Sequence, residues 1–476
     1  MAETFLRFYD RMQLSYESFL LKKKLWTWTA LLLVLQACLL GLLKPELAFL
    51  VVVGLLATAL GVVYPDQAIF FYFLASWLPL GQYGRVRGRH GTAQGIYFTQ
   101  FWLGFIAFVW VFRMISDRKI RFQVRRADVA LMGLCLAYFL STVVSHLTWN
   151  LKIQTSHRYL ITQFAQVGIV LMCAFAYWTI ANGIRSEIWA RKMLYAFMSL
   201  GVVLALIKLP FIVRFWHRAG IDLVRPGLLM MQGSMLAFGQ FIYAPPDKRM
   251  RWLLLGAFPF SMVMHNMYWV SGWMGGMTAL FTLLLFGSRK ALAAFFLFAV
   301  VLGVVQFSYF ERRLVHHSRA TGDFHRFFLL EDSVRMWREY PLFGIGPGNY
   351  YQAYSHHYAR LWNRPIIYAT AHTNYGEILA TTGIVGFGAF WIFFSLVGWD
   401  LFTYWRKAVD PVQKGFLLGI MAGSAGILAA SIAGDYVIPD RANYGLKTFS
   451  TAVYFWLILG MGQAIGRRWL ITEKET

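Results

Sequence analysis

The sequence predicts an all-α polytopic membrane protein with about 14 transmembrane helices. Hydrophobic residues make up 58% of the 476 residues and charged residues only 14%, whereas soluble domains carry about 25% charged residues. Apolar runs of about 20 residues, the length of a membrane-spanning helix, recur along the chain. A large soluble core is excluded, because no soluble fold contains so many uncharged runs.

The predicted spans are helices, because a segment inside the bilayer must satisfy its own backbone hydrogen bonds. A β-barrel would require polar and apolar residues to alternate, and the sequence shows no such alternation. The third span is short, and almost no loop separates the ninth from the tenth. We place the spans at residues 25–43, 47–64, 67–80, 95–115, 128–147, 159–181, 192–212, 226–244, 252–269, 271–286, 291–310, 374–399, 415–436 and 448–466.

A long polar break between the eleventh and twelfth spans predicts a large helical loop outside the membrane. The N-terminal segment has no cleavable signal and ends in three lysines, which is typical of a cytoplasmic amphipathic anchor. The predicted organisation is 1–24 as the cytoplasmic N-terminus, 25–310 as transmembrane helices 1–11, 311–373 as the outer loop, 374–466 as transmembrane helices 12–14, and 467–476 as a cytoplasmic tail.

The charge pattern supports this count of spans. The chain carries a formal charge of +23, from 45 Lys and Arg against 22 Asp and Glu, and cytoplasmic loops of membrane proteins collect Lys and Arg. With both termini inside, the fourteen spans place six basic groups in the cytoplasm. These groups lie at residues 113–126, 185–192, 248–251, 289–290, 406–407 and 467–468.

The same topology leaves further arginines on the outer side. They lie in loops 81–94, 213–225, 311–373 and 437–447. A basic outer face opposes the usual rule, so it indicates either an inverted topology or charges that serve a ligand. The consistent inner loops favour a ligand, and arginine forks suit phosphate or carboxylate groups. For some of these arginines, the alternative is neutralisation of anionic lipid headgroups.

The outer loop contains one predicted helix, over residues 326–340, lying at the membrane surface. Its apolar residues recur every three or four positions and form one stripe. Glu331 lies four residues before Arg335, so the two can form a salt bridge on the solvated face. Arg326, at the start of the helix, has no acid at helical spacing and is the freer arginine. The stripe consists of Phe327, Leu330, Val334 and Trp337.

Pro341 ends this helix, and the glycines of Gly344–Asn349 predict a tight structural turn that reverses the chain. No lysine follows, so the turn is not a nucleotide-binding P-loop. The pair His356-His357 has no cysteine or acid at ligand spacing, so the sequence predicts no metal site and no cofactor. The cysteines lie in apolar runs and are interpreted as small buried hydrophobes. They are Cys38, Cys135 and Cys173.

His372 lies just before the twelfth span. Asn374 and Glu377 stand three residues apart ahead of the apolar run, which predicts a capping box with Asn374 as the cap. The positive end of the helix then favours a neutral imidazole at His372. A neutral histidine at the boundary between water and membrane suits a general base. The alternative is an interfacial histidine without a chemical role.

These residues carry a family likeness. The series from Arg326 through Arg335-Met-Trp and Pro341-Leu-Phe-Gly-Ile-Gly-Pro-Gly-Asn-Tyr to His372-Thr-Asn-Tyr-Gly-Glu resembles the O-antigen ligase/polymerase superfamily, the Wzy and WaaL proteins. The likeness covers the outer loop and the twelfth span, and the upstream spans match only in character. Arg225-Pro-Gly, followed by a span rich in small residues, resembles the family's other arginine site.

The resemblance implies an inverting glycosyltransferase without metal or cofactor, on the periplasmic face of the bacterial inner membrane. Such proteins take a glycan from undecaprenyl diphosphate. Polymerases give it to another lipid-linked glycan, and ligases give it to lipid A core. Carried over, His372 activates the acceptor hydroxyl, and Arg225 and Arg326 bind the diphosphate. Arginine supplies the fixed positive charge that a leaving diphosphate needs. Glu377 is the second catalytic candidate.

One departure concerns the start of the tenth span. Family members often carry Ser-Arg-Gly there, whereas this chain has Ser271-Gly-Trp273. Either Arg214 or Arg218 substitutes for the expected arginine, or the diphosphate is held differently. The missing arginine and the fourteen spans favour a polymerase slightly, with a ligase as the alternative.

Two functions of other classes remain open from the sequence. A membrane transporter of a small anion, lined by the outer arginines, should carry ionisable residues at mid-membrane. The predicted spans are nearly free of charge at their centres, which favours the enzyme. The second alternative function is that of a structural partner in a polysaccharide export complex. The expected partners are the lipid-linked glycan, its acceptor and membrane lipids, without nucleic acid.

Overall fold

In a computed structural model of the chain, the described residues are almost entirely helical outside one hairpin. The structure describes residues 64–75, 82–87, 93–116, 124–148, 159–184, 186–209, 212, 227–265, 269–297, 300–301, 304, 324–363, 370–440 and 448–475. The predicted spans at 25–43 and 47–64 lie outside these residues.

The helices follow the apolar runs of the sequence. They are α1 (Pro65–Ala75), α2 (Phe98–Ser116), α3 (Arg126–Leu147), α4 (Tyr159–Gly183), α5 (Glu187–Ile207), α6 (Gly227–Tyr243), α7 (Pro246–His265), α8 (Val270–Gly287), α9 (Phe324–Glu339), α10 (Asn374–Lys407), α11 (Pro411–Ala430) and α12 (Thr448–Glu475). Three short helical pieces stand between α9 and α10, namely Tyr350–Ala353, a π-helical turn at Tyr354–Tyr358, and Ala359–Leu361.

Six helices in the described residues are long and apolar enough to cross a membrane, so the chain is a multi-pass membrane protein. They are α3, α4, α5, α8, α10 and α11. The third predicted span, 67–80, overlaps α1 (Pro65–Ala75), and its last five residues lie outside the described ones. The fourteen predicted spans therefore stay a prediction.

A two-stranded hairpin occupies the predicted outer loop 81–94 and the first residues of the predicted span 95–115, which was wrongly predicted to be helical from residue 95. Its strands are β1 (Gln82–Arg87) and β2 (Ala93–Tyr97), which pair antiparallel. Tyr83 pairs with Ile96 and Val86 with Gln94, with an irregularity between the two pairs. Aromatic and β-branched residues favour strands. The second strand leads directly into α2.

Glycines bring α6, α8 and α11 into close contact. A Cβ atom at Gly275 would lie 2.8 Å from the carbonyl oxygen of Gly426, and Gly239 meets the backbone of Gly415 in the same way. Small residues at such crossings let membrane helices pack backbone to backbone. This close glycine packing fixes α11, whose C-terminal end leads to the functional site.

The described cysteines, Cys135 and Cys173, are buried and free, as expected.

Helix α10 is interrupted at Gly383, where φ is 65°. The segment from Pro341 to Gly346 fills the interruption through four backbone hydrogen bonds. Ile345 and Gly346 donate to carbonyls on the N-terminal side of the break, each at 2.9 Å. Pro341 and Leu342 accept from amides on its C-terminal side, at 2.9 and 3.2 Å. The glycine-rich turn is structural, as predicted, and it is docked into a membrane helix.

The face of α9 that is buried differs from the predicted stripe. Leu329, Asp332, Ser333 and Met336 are at most 1% exposed. Leu330, Val334 and Trp337 of the predicted stripe are half-buried, so the face that packs on the protein is a different one. The reason is the partner surface, because α9 packs on α10, and a small polar residue at 333 lets the helices approach. Ser333 lies against Gly376, where a Cβ atom would be 3.0 Å from its hydroxyl oxygen.

Candidate functional site

His372 stands two residues before α10, as predicted, in a backbone turn that its side chain does not impose. Its φ is +50°, in the left-handed region that few residues other than glycine adopt, although histidine is among the more tolerant. The His372 amide donates to the hydroxyl oxygen of Thr370 at 3.2 Å. The histidine is half-buried, so the turn presents it at the edge of the site.

Two acidic side chains hold this turn. The amide of Ala371 donates to Oε2 of Glu377 at 2.8 Å, and the Thr370 hydroxyl donates to Oδ2 of Asp435 at 3.2 Å. Thr370 and Ala371 are fully buried, and Glu377 and Asp435 are 6% and 7% exposed. The backbone around His372 is therefore fixed from both sides.

The cap of α10 differs from the predicted one. Thr373 is the N-cap and makes no capping bond with its side chain, so the assignment of Asn374 as the cap was wrong. Asn374 is the first helical residue, and its amide group instead bridges two backbone groups of a distant segment. Its Nδ2 donates to the carbonyl of Ile438 at 2.5 Å, and its Oδ1 accepts from the Val437 amide at 2.8 Å. Tertiary contact thus overrides the local capping pattern.

Residues 434–440, which we call the strap, follow the short 3-10 helix at the end of α11. The strap carries Asp435 and also Asp440, which is 2% exposed and hydrogen-bonds to Glu377. Neither aspartate was predicted from the sequence as a site residue. Their position could have indicated it, because only 22 residues of the chain are acidic and an acid beside an apolar span is a functional candidate.

The strap also joins the His372 turn to the start of α8. The Tyr436 hydroxyl accepts from Nε1 of Trp269 at 2.8 Å and lies 2.7 Å from the Ser271 hydroxyl. Trp269 is the N-cap residue of α8. Since Asp435 and Tyr436 are consecutive, the His372 turn and the α8 N-terminus are both attached to one short segment.

Trp269 extends this connection to α6. A Cβ atom at Gly227, the first residue of α6, would lie 2.5 Å from the Trp269 ring. Lys208, at the C-terminal end of α5, has its Nζ 5.8 Å from the centre of the same ring. The start of α6, two residues after Arg225 in sequence, is therefore at the same end of the bundle as His372.

Two buried tyrosines of the outer loop lie near acidic side chains, Tyr350 near Glu377 and Tyr358 near Glu339. Burial and the neighbouring Glu377 hold the pKa of the Tyr350 phenol well above its usual range. Burial and a hydrogen bond to Glu339 at 2.7 Å likewise raise the pKa of Tyr358. Both phenols stay neutral at any working pH and act as hydrogen-bonding and packing groups.

The predicted diphosphate-binding arginines are only partly placed. Arg214, Arg218 and Arg225 lie outside the described residues. Arg326 lies in the first turn of α9, and its side chain is not among those described. The structure therefore does not test whether these four residues meet at one site.

Arg335 forms the predicted salt bridge with Glu331. It also stacks on the Trp362 ring at 5.3 Å. His357 lies edge-on to Tyr358. Within the described ranges, no three His, Cys, Asp or Glu side chains are grouped as a metal site would require.

Residues 248–391 match the family model described as O-antigen ligase, Wzy_C. The match starts in α7, takes in the outer loop, His372 and Glu377, and ends within α10. No curated protein matches the chain.

Proposed function

We propose that the chain, which matches the O-antigen ligase family over residues 248–391, transfers a glycan from undecaprenyl diphosphate to a sugar hydroxyl. The observation that carries the proposal is the His372 turn. It lies inside the matched residues, where an unusual backbone conformation is held by buried carboxyl groups. Backbone strain of this kind is concentrated at functional sites.

In the proposed reaction, His372 accepts the proton of the acceptor hydroxyl as that oxygen attacks the anomeric carbon. The bond between this carbon and the phosphate oxygen breaks, and the configuration inverts. The leaving diphosphate carries its negative charge away with the polyprenyl tail. Placing His372 just before α10 favours the neutral imidazole that a general base requires. Neither a metal ion nor a cofactor takes part.

The charge on the diphosphate requires fixed cations, which we assign to Arg225 and Arg326, with Arg218 and Arg214 as further candidates. The position of Gly227 beside Trp269 supports Arg225, because it brings the start of α6 to the end of the bundle where His372 lies. Arginine provides several donors in a planar fork that matches phosphate oxygens.

The membrane topology inferred from charge puts this end of the bundle on the periplasmic face of the bacterial inner membrane. The hydrophobic helices then receive the polyprenyl tail from the bilayer, while the outer loop covers the sugar. We favour a polymerase slightly over a ligase, because Trp273 stands where an arginine is common in the family and because fourteen spans are predicted.

The described membrane helices support an enzyme over an anion carrier. Helices α4 and α8 contain no charged residue. In α10, Glu377 lies in the first turn, and Asp400 lies two turns before the end at Lys407. A carrier would require charged residues around a site at mid-membrane. The charged groups here lie towards the helix ends instead.

The test is glycan transfer by the purified full-length chain, supplied with undecaprenyl-diphosphate glycan, with and without lipid A core. Lengthened lipid-linked glycan without core identifies a polymerase, and a product that requires core identifies a ligase. His372→Ala should lower the rate by about 10²- to 10⁴-fold, while His356→Ala, at an exposed position of the loop, should not. Absence of any product, or full activity of His372→Ala, would refute the proposed reaction or its base.

A further inference from the structure

The hydroxyl group of Thr370 has a defined direction, and this direction bears on the base of the proposed reaction. Thr370 Oγ1 lies 3.2 Å from Oδ2 of Asp435 and 3.2 Å from the amide nitrogen of His372. A hydroxyl has one hydrogen and two lone pairs. The His372 amide can only donate, so a lone pair of the hydroxyl faces it and the hydrogen is directed to Asp435.

This arrangement compensates the backbone conformation of His372. A φ of +50° is unfavourable for a residue with a side chain and persists only where surrounding contacts enforce it. The Ala371 amide is already held by Glu377. The Thr370 hydroxyl is the group that holds the next amide, that of His372 itself.

We propose that Thr370, with its hydroxyl oriented by Asp435, is a positioning residue for His372. It does not contact the substrate. It keeps the amide of His372 in the left-handed turn, so that the imidazole is held in one direction at the edge of the site. This inference rests on the proposed function for its catalytic consequence. Its structural part, the orientation of the His372 side chain, is independent of the reaction.

Conservative substitutions at Thr370 can distinguish this hydrogen-bonding role from general packing. Thr370 is fully buried, so valine, which has nearly the same shape, fills its volume and removes only the hydroxyl. Serine keeps the hydroxyl and removes only the methyl group. If the hydroxyl acts through hydrogen bonding, valine should be defective and serine should restore the wild-type behaviour. If Thr370 acts only by filling space, the order should be reversed.

Two measurements on full-length Thr370→Val, Thr370→Ser and wild-type protein test this proposal. The first is the rate at which diethyl pyrocarbonate modifies His372, followed by mass spectrometry, with His356 of the same molecule as the internal reference. We expect the ratio of the two rates to change several-fold in Thr370→Val and to stay at the wild-type value in Thr370→Ser. This measurement needs no substrate, so it stands even if the proposed glycan transfer is wrong.

The second measurement is glycan transfer itself. A displacement of a reacting group by about 1 Å can cost 10²-fold in rate, so we expect Thr370→Val to lower kcat by up to that factor with little change in KM. Thr370→Ser should retain most of the wild-type kcat. An unchanged reactivity ratio in Thr370→Val, or equal losses in the valine and serine variants, would overturn the positioning role. Loss of activity in His372→Ala with a normal Thr370→Val would overturn it while leaving the proposed reaction intact.

Discussion

Gly383 in the middle of α10 lies directly against the carbonyl group of Leu342, so a side chain at position 383 has no room. A Cβ atom there would clash with the Leu342 carbonyl, and the φ of 65° would strain any other residue. The outer loop thus reaches into a membrane helix and replaces part of its hydrogen bonding. His372 lies just before the short N-terminal piece of α10 that this contact sets apart.

The first prediction concerns this contact. Gly383→Ala should destabilise the protein by about 1–3 kcal/mol from backbone strain alone, and the steric clash adds to this cost. The measurement is thermal unfolding of the purified protein in detergent. Gly388→Ala is the matched control, since position 388 lies on the same helix with nothing within 4 Å of its Cβ position. That change should be neutral or stabilising by about 0.5–1 kcal/mol. Equal unfolding temperatures for the two variants would contradict the structural role of Gly383.

The second prediction concerns the attachment of the strap. Asn374 is 1% exposed and makes two hydrogen bonds to the backbone at residues 437 and 438. Asn374→Ala should cost about 1–3 kcal/mol, because it leaves a buried backbone donor and acceptor without their partners. Thermal unfolding again provides the measurement. Thr403→Ala, which removes only a bond to Trp399 one turn earlier, should stay within about 0.5 kcal/mol of wild type. A wild-type unfolding temperature for Asn374→Ala would show that the strap is held by other contacts.

The sequence predicts the N-terminus of α10 well, because the local signal is strong there. The apolar run begins at the predicted residue, and His372 falls just before it. The interruption at Gly383 carries no comparable signal. Its hydrogen bonds come from residues 341–346, about 40 positions earlier in the chain, and a glycine in an apolar run is common in membrane helices.

The site was predicted in part for the same reason. Glu377 was expected near the start of α10, and it binds the Ala371 amide there. Asn374 has the right residue type for a cap, but its side chain instead hydrogen-bonds to the strap, some 60 residues later in the chain. Asp435 contributes to the site through its hydrogen bond with Thr370. The two residues are far apart in sequence, and neither periodicity nor motif spacing predicts contacts between such distant residues.

The third prediction separates two roles for Glu377. If its carboxyl group only receives the Ala371 amide, Glu377→Gln should retain most of the glycan-transfer activity, because the amide oxygen can accept the same hydrogen bond. Glu377→Ala should lose about 10²-fold, since the His372 turn is then held on one side only. If Glu377 itself exchanges protons with the substrate, both variants should be equally inactive. The measurement is kcat for lipid-linked glycan, with the thermal unfolding of each variant recorded alongside.

The fourth prediction concerns the two arginines of α9 and uses their different surroundings. Arg335 is paired with Glu331 and stacks on Trp362, so its charge is engaged within the loop. Arg326, one of the residues assigned to the diphosphate, lies in the first turn of the same helix. Arg326→Ala should lower kcat/KM for the donor by about 10²-fold, as loss of one charge-stabilising donor does at other active sites.

Arg335→Ala is the matched control for that measurement. It removes the same charge from the same helix, and a half-exposed pair of this kind contributes at most about 1 kcal/mol to stability. Its kcat/KM should therefore stay close to wild type. Similar losses in the two variants would mean that the helix contributes only a general positive field, because a field acts through net charge and not through position. A loss of kcat/KM confined to Arg326→Ala would support direct contact between this guanidinium and the diphosphate.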